Sequence, residues 1–452
     1  METIQVTNPA NSKVIGSFES YDQAKVLEAV KTARKGFSEW SIADISTRKE
    51  ILLRYCSLLS KNADKLAKTV TEQMGKPITQ SLGDANDVGG DTEWFVNNAQ
   101  ASVEAEKIDG KSTLFWEPLG VVGCIKAWNF PLDLVTWSAV PALMAGNSVV
   151  LKHSELVPYS GRQIADLMHA AGVPEDVFVL VEGAGETGKQ LVESPVDCIT
   201  FTGSSKAGKD IAQRCATGYK KSVLELGGSA PAIVFSDADI DKAVATVSAS
   251  RLGNCGQVCS AAKRLIIQSS ISKDFISALK AKMEAAVIGD PMEKSTSLGP
   301  LATFAQRERL EKQVADAKAK GGKILIGGNR PVGKQFEKGA FYEPTIILDT
   351  PFESAAWREE TFGPALAVRT FDTEEEAVAL ANDSDYGLSA QVYTQDSEKA
   401  ARVASKIIAG TVIINGRWAG CGQQPWFGVK ASGWGFEGTK YGFREFTRPK
   451  HV

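Results

Sequence analysis

Apolar residues recur at three-and-four spacing through the first hundred positions. The stretches "YDQAKVLEAVKTARKGFSEW" and "STRKEILLRYCSLLSKNADKLAKTVTEQMG" both carry that period, which predicts amphipathic helices. From residue 148 the pattern changes. Short β-branched runs alternate with helical stretches: "SVVLK" at 148, a helix ending near Ala171, "VFVLVEG" at 177, a helix, "CITFTGS" at 198, another helix, then "SVLELGG" at 222. A strand that returns parallel to its predecessor needs such a crossover, so this rhythm predicts a doubly wound parallel sheet of Rossmann type. A second series follows through "APAIVF", "AKRLIIQ", "KILIGG", "PALAVRTF", "LSAQVYT" and "AGTVIING". It predicts a second α/β lobe, with "LELGG" near Gly228 as the junction.

Composition narrows the class of partner. The 452 residues exceed the size of one hydrophobic core, so two or more domains are expected. Lys plus Arg total 51 against 54 for Asp plus Glu, with no block of either sign, which argues against nucleic-acid or anionic-membrane binding and for a small-molecule partner. The apolar stretch "WSAVPALMAGNSVVL" is too short to span a bilayer and is broken by Pro141, Gly146 and Asn147. Seven scattered cysteines read as a reduced inventory, and "METIQVTNPANS" shows no secretory pattern; a cytoplasmic location is expected.

Several short motifs carry candidate chemistry. "GNCGQVCSAAKR" places Cys255 and Cys259 four residues apart with no histidine nearby, so a nucleophile here needs another base. "LELGG" holds Glu225 between leucines; burial would raise its pKa and suit it to general-base work, or it is a salt-bridged structural carboxylate. "WNFP" fixes the Asn129 amide just before a proline, as an oxyanion donor or simply a turn residue. "FTGSSKAGK" follows a strand and opens a helix, so Gly203 and Ser204 would admit a phosphate to the helix N-terminus; a plain glycine turn is the alternative. In "KHSE", Lys152 would reach ribose hydroxyls, and Glu155 would accept from a free 2′-OH while repelling a 2′-phosphate, favouring NAD with NADP possible; a solvated pair is the alternative. A Cys255–Cys259 redox lock competes with an inert packed Cys255, and the helical spacing favours the second. No metal site is expected, because CxxxC lacks the usual zinc spacing.

The series WNFP, KxSE, GSxxxG, LELGG and GQxC, followed by "EETFGP" at Glu359 to Pro364, resembles the aldehyde dehydrogenase superfamily over nearly the whole chain. Within it the chain is most similar to the short succinate-semialdehyde dehydrogenase-like members, through "LKHS" and "LELGGSAP". The resemblance implies an NAD(P)-binding Rossmann-type domain at 1–100 and 119–227, an α/β catalytic domain at 228–428, and a small β oligomerisation arm at 101–118 and 429–452, serving a homodimer or homotetramer. It implies Cys259 as nucleophile, Glu225 as base, and Asn129 with the Cys259 N–H as oxyanion hole. By the same resemblance Trp128, Lys152, Ser154, Glu155, Gly185, Phe201, Gly203, Ser204, Leu226, Glu360 and Phe362 bind the cofactor, the last pair at the nicotinamide ribose and ring. The reaction implied is NAD(P)-dependent oxidation of an aldehyde to its acid through a hemithioacetal and a thioester. The alternatives are a CoA-acylating semialdehyde dehydrogenase and a non-catalytic NAD-binding structural protein.

The substrate is less constrained. Members acting on succinate semialdehyde tend to carry an arginine after WNFP and a serine before the C-terminal glycine motif, where this chain has Trp137 and Gly420. Arg417 is a candidate substitute, and Trp137, Trp418 and Trp426 suggest an aromatic mouth for apolar or uncharged aldehydes, plain core residues being the alternative; succinate semialdehyde or another small or aromatic aldehyde is the substrate expected. Phe427 stands at a position the family gives to glycine.

Overall fold

The βαβ rhythm of residues 148–225 becomes both flanks of a parallel sheet in the computed structural model, which describes residues 2–416 and 422–452. The chain begins with an antiparallel hairpin, β1 (Thr3–Thr7) and β2 (Val14–Glu19), ahead of the predicted helices α1 (Gln23–Trp40), α2 (Ile45–Lys61), α3 (Ala63–Met74) and α4 (Ile78–Ser102). Asp22 caps α1 by accepting from the Lys25 N–H. After β3 (Glu106–Lys107) and β4 (Thr113–Pro118) come β5 (Val121–Lys126), α5 (Asp133–Met144), β6 (Ser148–His153), α6 (Pro158–Ala171), β7 (Phe178–Val181), α7 (Gly185–Glu193), β8 (Cys198–Thr202), α8 (Ser205–Thr217) and β9 (Lys221–Glu225). Strand β5 gave no alternating signal because all of its side chains are buried. It is nevertheless central. The sheet runs β9-β8-β5-β6-β7, so the winding reverses between β5 and β8. Helices cover both faces: Leu52, Leu59, Phe95, Val135 and Ile164 pack on one, Val26, Val30, Leu191 and Ile211 on the other.

Four residues after Glu225 the chain leaves that sheet for a second. Strand β10 (Ala230–Val234) is followed by helix α9 (Ile240–Leu252), β11 (Ala262–Gln268), β12 (Lys323–Ile326), β13 (Thr345–Leu348), β14 (Ala365–Phe371), β15 (Tyr386–Gly387), β16 (Ser389–Tyr393) and β17 (Thr411–Ile414). Among the described residues the order is β12-β13-β14-β11-β10-β16-β17, parallel except at β12–β13. Strand β13, within "PTIILDT", is a short run that local spacing did not announce. Beyond residue 428 the tail touches three places. Strand β18 (Val429–Lys430) pairs with β15, β19 (Gly433–Trp434) pairs antiparallel with β9, and β20 (Thr447–His451) pairs with β4, which also holds β3.

Candidate active site

Cys259 follows a turn whose backbone is unusual. Asn254 and Cys255 have φ of 49° and 54°, and Gly256 follows at 72°. A left-handed conformation costs an ordinary residue about 1–2 kcal/mol, so neighbours must hold it. They do. Gln80 of α4 accepts from the Asn254 N–H at 2.8 Å, and the Asn254 amide donates to the Asn129 carbonyl at 2.9 Å. The Gln257 side chain donates to the Asn254 carbonyl at 3.0 Å and accepts from the Ala302 N–H at 2.8 Å. The buried Arg251 guanidinium donates to the Gly256 and Ala262 carbonyls. A Cβ on Gly256 would lie 2.2 Å from the Gly363 carbonyl oxygen, so "EETFGP" is wedged against this turn. The expected helical relation of Cys255 to Cys259 is therefore absent. Cys255 instead packs with Leu298, Leu301 and Leu310, and burial pushes its thiol up to about 12.

Cys259 itself is half-buried, and its thiol is also pushed up to about 12 by burial. Lys263 opposes that shift, while Glu360 and Glu225 add to it. Asn129 approaches from the loop after β5 and donates one N–H to the Gln257 carbonyl at 3.1 Å; its NH₂ carries a second hydrogen for other use.

Glu225 ends β9 and is 4% exposed. Among the described residues neither of its oxygens accepts a full hydrogen bond, although the Trp426 side chain gives partial compensation. Burial holds the carboxyl well above the ordinary range, with Glu437 pushing the same way and Lys126 opposing. Sequence reasoning missed those two neighbours. The Lys126 ammonium donates to Thr200 and Thr202, both at 3.0 Å, and to Glu437 at 3.3 Å, and Glu437 also accepts from Ser138 at 3.1 Å. Gly433 closes over this strand end: it pairs with Glu225, and a Cβ there would lie 1.9 Å from the Leu224 carbonyl oxygen.

The carboxyl ends of β5, β6 and β8 open beside this site, at the point where winding reverses, which is where doubly wound sheets take ligands. Lys152 is the penultimate residue of β6, buried, with its ammonium 3.4 Å from the half-exposed Glu155 carboxylate. Ser154 donates its N–H to His153, and with Glu155 it borders a small concavity completed by Pro158, Val181 and Gly183. Gly185 opens α7 onto free space. Ser204 caps α8 by accepting from the Ala207 N–H, and a Cβ on Gly203 would meet the Phe201 ring at 2.3 Å. Leu226 packs against Gly208 of α8 so closely that a Cβ there would lie 2.3 Å from it. Trp128 and Phe362 meet edge to face at 5.6 Å. A helix N-terminus with free N–H groups, a buried lysine and a concavity beside it fit a dinucleotide.

Glu360, expected at the nicotinamide ribose, lies beside Gly228 and Lys263. One of its oxygens accepts from the Gly228 N–H at 3.0 Å and from the Lys263 ammonium at 3.1 Å, so it is engaged within the protein. The histidines are occupied elsewhere. His153 bonds the Pro131 carbonyl and the Ser154 N–H, burial pulls it down to about 4, and His169 bonds the Phe178 carbonyl. Trp137 joins the helical core, and Trp426 is buried beside Glu225. Phe427 packs on Phe436 at 4.8 Å. Arg417, Trp418 and Gly420 lie outside the described residues.

Residues 1–452 match the model of the aldehyde dehydrogenase family. The chain is 37% identical over 458 residues to the glutarate-semialdehyde dehydrogenase of Pseudomonas aeruginosa, covering 100% of this chain and 94% of that protein. It is 38% identical over 463 residues to a peroxisomal aminoaldehyde dehydrogenase of Malus domestica, covering 99% and 92%. The structure of Staphylococcus aureus betaine aldehyde dehydrogenase with NAD+ is similar at a TM-score of 0.97 and 35% identity, over 100% of this chain and 91% of that one. Alongside the Cys259 turn, the buried glutamate and the crevice at the sheet's reversal, these matches make the chain a member of the aldehyde dehydrogenase family, NAD(P)-dependent oxidoreductases acting on aldehydes.

Proposed function

We propose that Cys259 is the nucleophile of this oxidation and Glu225 its base. The observation that carries the reading is Glu225 itself, a carboxyl buried at a strand end without a full hydrogen bond and acting electrostatically on the Cys259 thiol. Such a group takes a proton near neutrality. The Cys259 sulfur adds to the aldehyde carbon as its proton passes to Glu225, directly or through a water. The second hydrogen of the Asn129 amide and the Cys259 N–H receive the oxyanion. Trp128, Lys152, Ser154, Glu155, Gly185, Phe201, Gly203, Ser204, Leu226, Glu360 and Phe362 hold the nicotinamide cofactor, which when bound accepts the hydride. Glu225 then draws a proton from the water that hydrolyses the Cys259 thioester, and this second duty disfavours the CoA-acylating alternative. Glu155 selects NAD over NADP. An NADH assay with and without CoA, on wild type and Cys259→Ala, tests the reading. Unchanged turnover in the variant overturns it, and strict dependence on CoA restores the acylating alternative.

The substrate proposed is an uncharged or ammonium-bearing aldehyde rather than a dicarboxylic semialdehyde. Asp133, one turn after Asn129, is buried, and its Oδ2 has no hydrogen-bond partner among the described residues. Burial and the neighbouring Asp84 and Asp91 raise it well above the carboxylate range, while Lys76, already paired with Asp84, opposes. Helix α4 also carries Trp94 against Gly422. An anionic tail between α4 and α5 would face these acids. Parallel kcat/KM values for alkanals, ω-amino aldehydes and semialdehyde acids of equal length test this, and preference for the acids overturns it.

A further inference from the structure

We propose that Lys263 positions the nucleophile and that its partner Glu360 carries the arrival of cofactor to Cys259. This rests on the reading of Cys259 and Glu360 given above. The Lys263 side chain is wholly buried, and its three ammonium hydrogens have three acceptors: the Cys259 carbonyl at 2.7 Å, the Val258 carbonyl at 3.1 Å and Glu360 Oε1 at 3.1 Å. Burying an ammonium is costly, and a structural need for packing alone would be met by an apolar side chain. Here two of the three bonds grip the residues that set the direction of the nucleophile. The same Glu360 oxygen accepts from the Gly228 N–H at 3.0 Å, and Gly228 in turn lies so close that a Cβ on it would sit 2.7 Å from the Cys259 carbonyl oxygen. Lysine, carboxylate and nucleophile backbone therefore form one knot.

The charges around the knot set its response. Facing the thiol are Lys263, Glu360 and Glu225, the last backed by Glu437 and Lys126. Facing Lys263 are Glu360, Arg251 and the thiol, with the Phe362 ring 5.9 Å from the ammonium. While Glu360 lies against Lys263, its negative charge cancels much of the ammonium's field at the sulfur. A ribose whose hydroxyls drew Glu360 away would leave the Lys263 ammonium at Cys259 opposed by Glu225 alone, and a thiolate would then be less disfavoured. The thiol thus stays protonated and protected from oxidants until cofactor is present.

The test is the pH dependence of iodoacetamide alkylation at Cys259, followed peptide by peptide with mass spectrometry in the intact protein. Without cofactor, Lys263→Met is expected to raise the midpoint and slow alkylation near neutrality about tenfold, and Glu360→Gln to lower the midpoint and speed it by a similar factor, one pH unit being tenfold in thiolate. Saturating NAD+ should move the wild-type midpoint in the direction of Glu360→Gln and leave that of Lys263→Met in place. A merely structural lysine would change the melting temperature and the plateau rate but not the midpoint. Coincident midpoints for wild type and Glu360→Gln overturn the proposal even where Lys263→Met does not fold, and so does an NAD+ shift that persists in Lys263→Met. Calorimetry of NAD+ binding separates the two levels: no binding removes the dehydrogenase reading, whereas binding with an unmoved midpoint removes only the coupling.

Discussion

Two carboxylates act on the same sulfur from regions of opposite character. Glu225 ends a strand where only the Trp426 side chain partly compensates it, and burial raises its affinity for a proton. Glu360 sits in the loop before β14 with a backbone N–H and a buried ammonium on one oxygen. A carboxyl denied partners becomes a base that wants a proton, and a carboxyl supplied with them becomes an anchor for other groups. Residue type alone does not separate these roles; the donors around each oxygen do.

The largest way to break the comparison is to remove the proton acceptor. Glu225→Gln keeps shape and removes basicity, and kcat should fall by about 10²–10⁴-fold with cofactor binding intact; a loss shared equally by Glu360→Gln would erase the distinction. Asn129→Ala should cost about 10²–10³-fold in kcat, because it withdraws an oxyanion donor without touching either carboxylate. Glu155, a third carboxylate, half-exposed and paired with Lys152, gives a finer contrast. Steady-state kinetics of Glu155→Gln should show the NAD to NADP preference reduced by about tenfold, roughly 1.4 kcal/mol. The smallest effect is on stability. A carboxyl whose pKa is raised by folding binds its proton more tightly in the native state, so it costs stability as pH rises above the unfolded value. Thermal melting should therefore find Glu225→Gln more stable than wild type at alkaline pH, with the gap closing toward pH 5 and below; a gap that widens on acidification would contradict the burial argument.

How much of this was legible depended on distance along the chain. The leucines flanking Glu225 announced its burial, and the alternation after residue 148 announced the parallel sheets, because both signals are local. Strand β5 was silent for the same reason it is central: buried on both faces, it has no polar alternation to read. Lys126 and Glu437 are 311 residues apart, and Lys263 and Glu360 are 97 apart, so no spacing rule joins them. The "AKR" that ends the nucleophile motif did offer a hint, a lysine and an arginine opening an otherwise apolar strand, and both prove wholly buried. The left-handed turn at Asn254 and Cys255 was hidden by the i and i+4 spacing of Cys255 and Cys259, which imitates a helix.

The wall around Glu225 is contributed last. Trp426, Gly433 and Glu437 all belong to the final thirty residues, whereas Cys259 and the five parallel strands β5 to β9 precede them by more than 160 residues. On the ribosome, then, Cys259 precedes the chain's end by nearly two hundred residues of further translation, and Glu225 waits as long for Trp426, Gly433 and Glu437. A message truncated within those last codons would leave the end of β9 without the strand and the aromatic side chain that cover it, so the surroundings of Glu225 are finished only when the tail arrives.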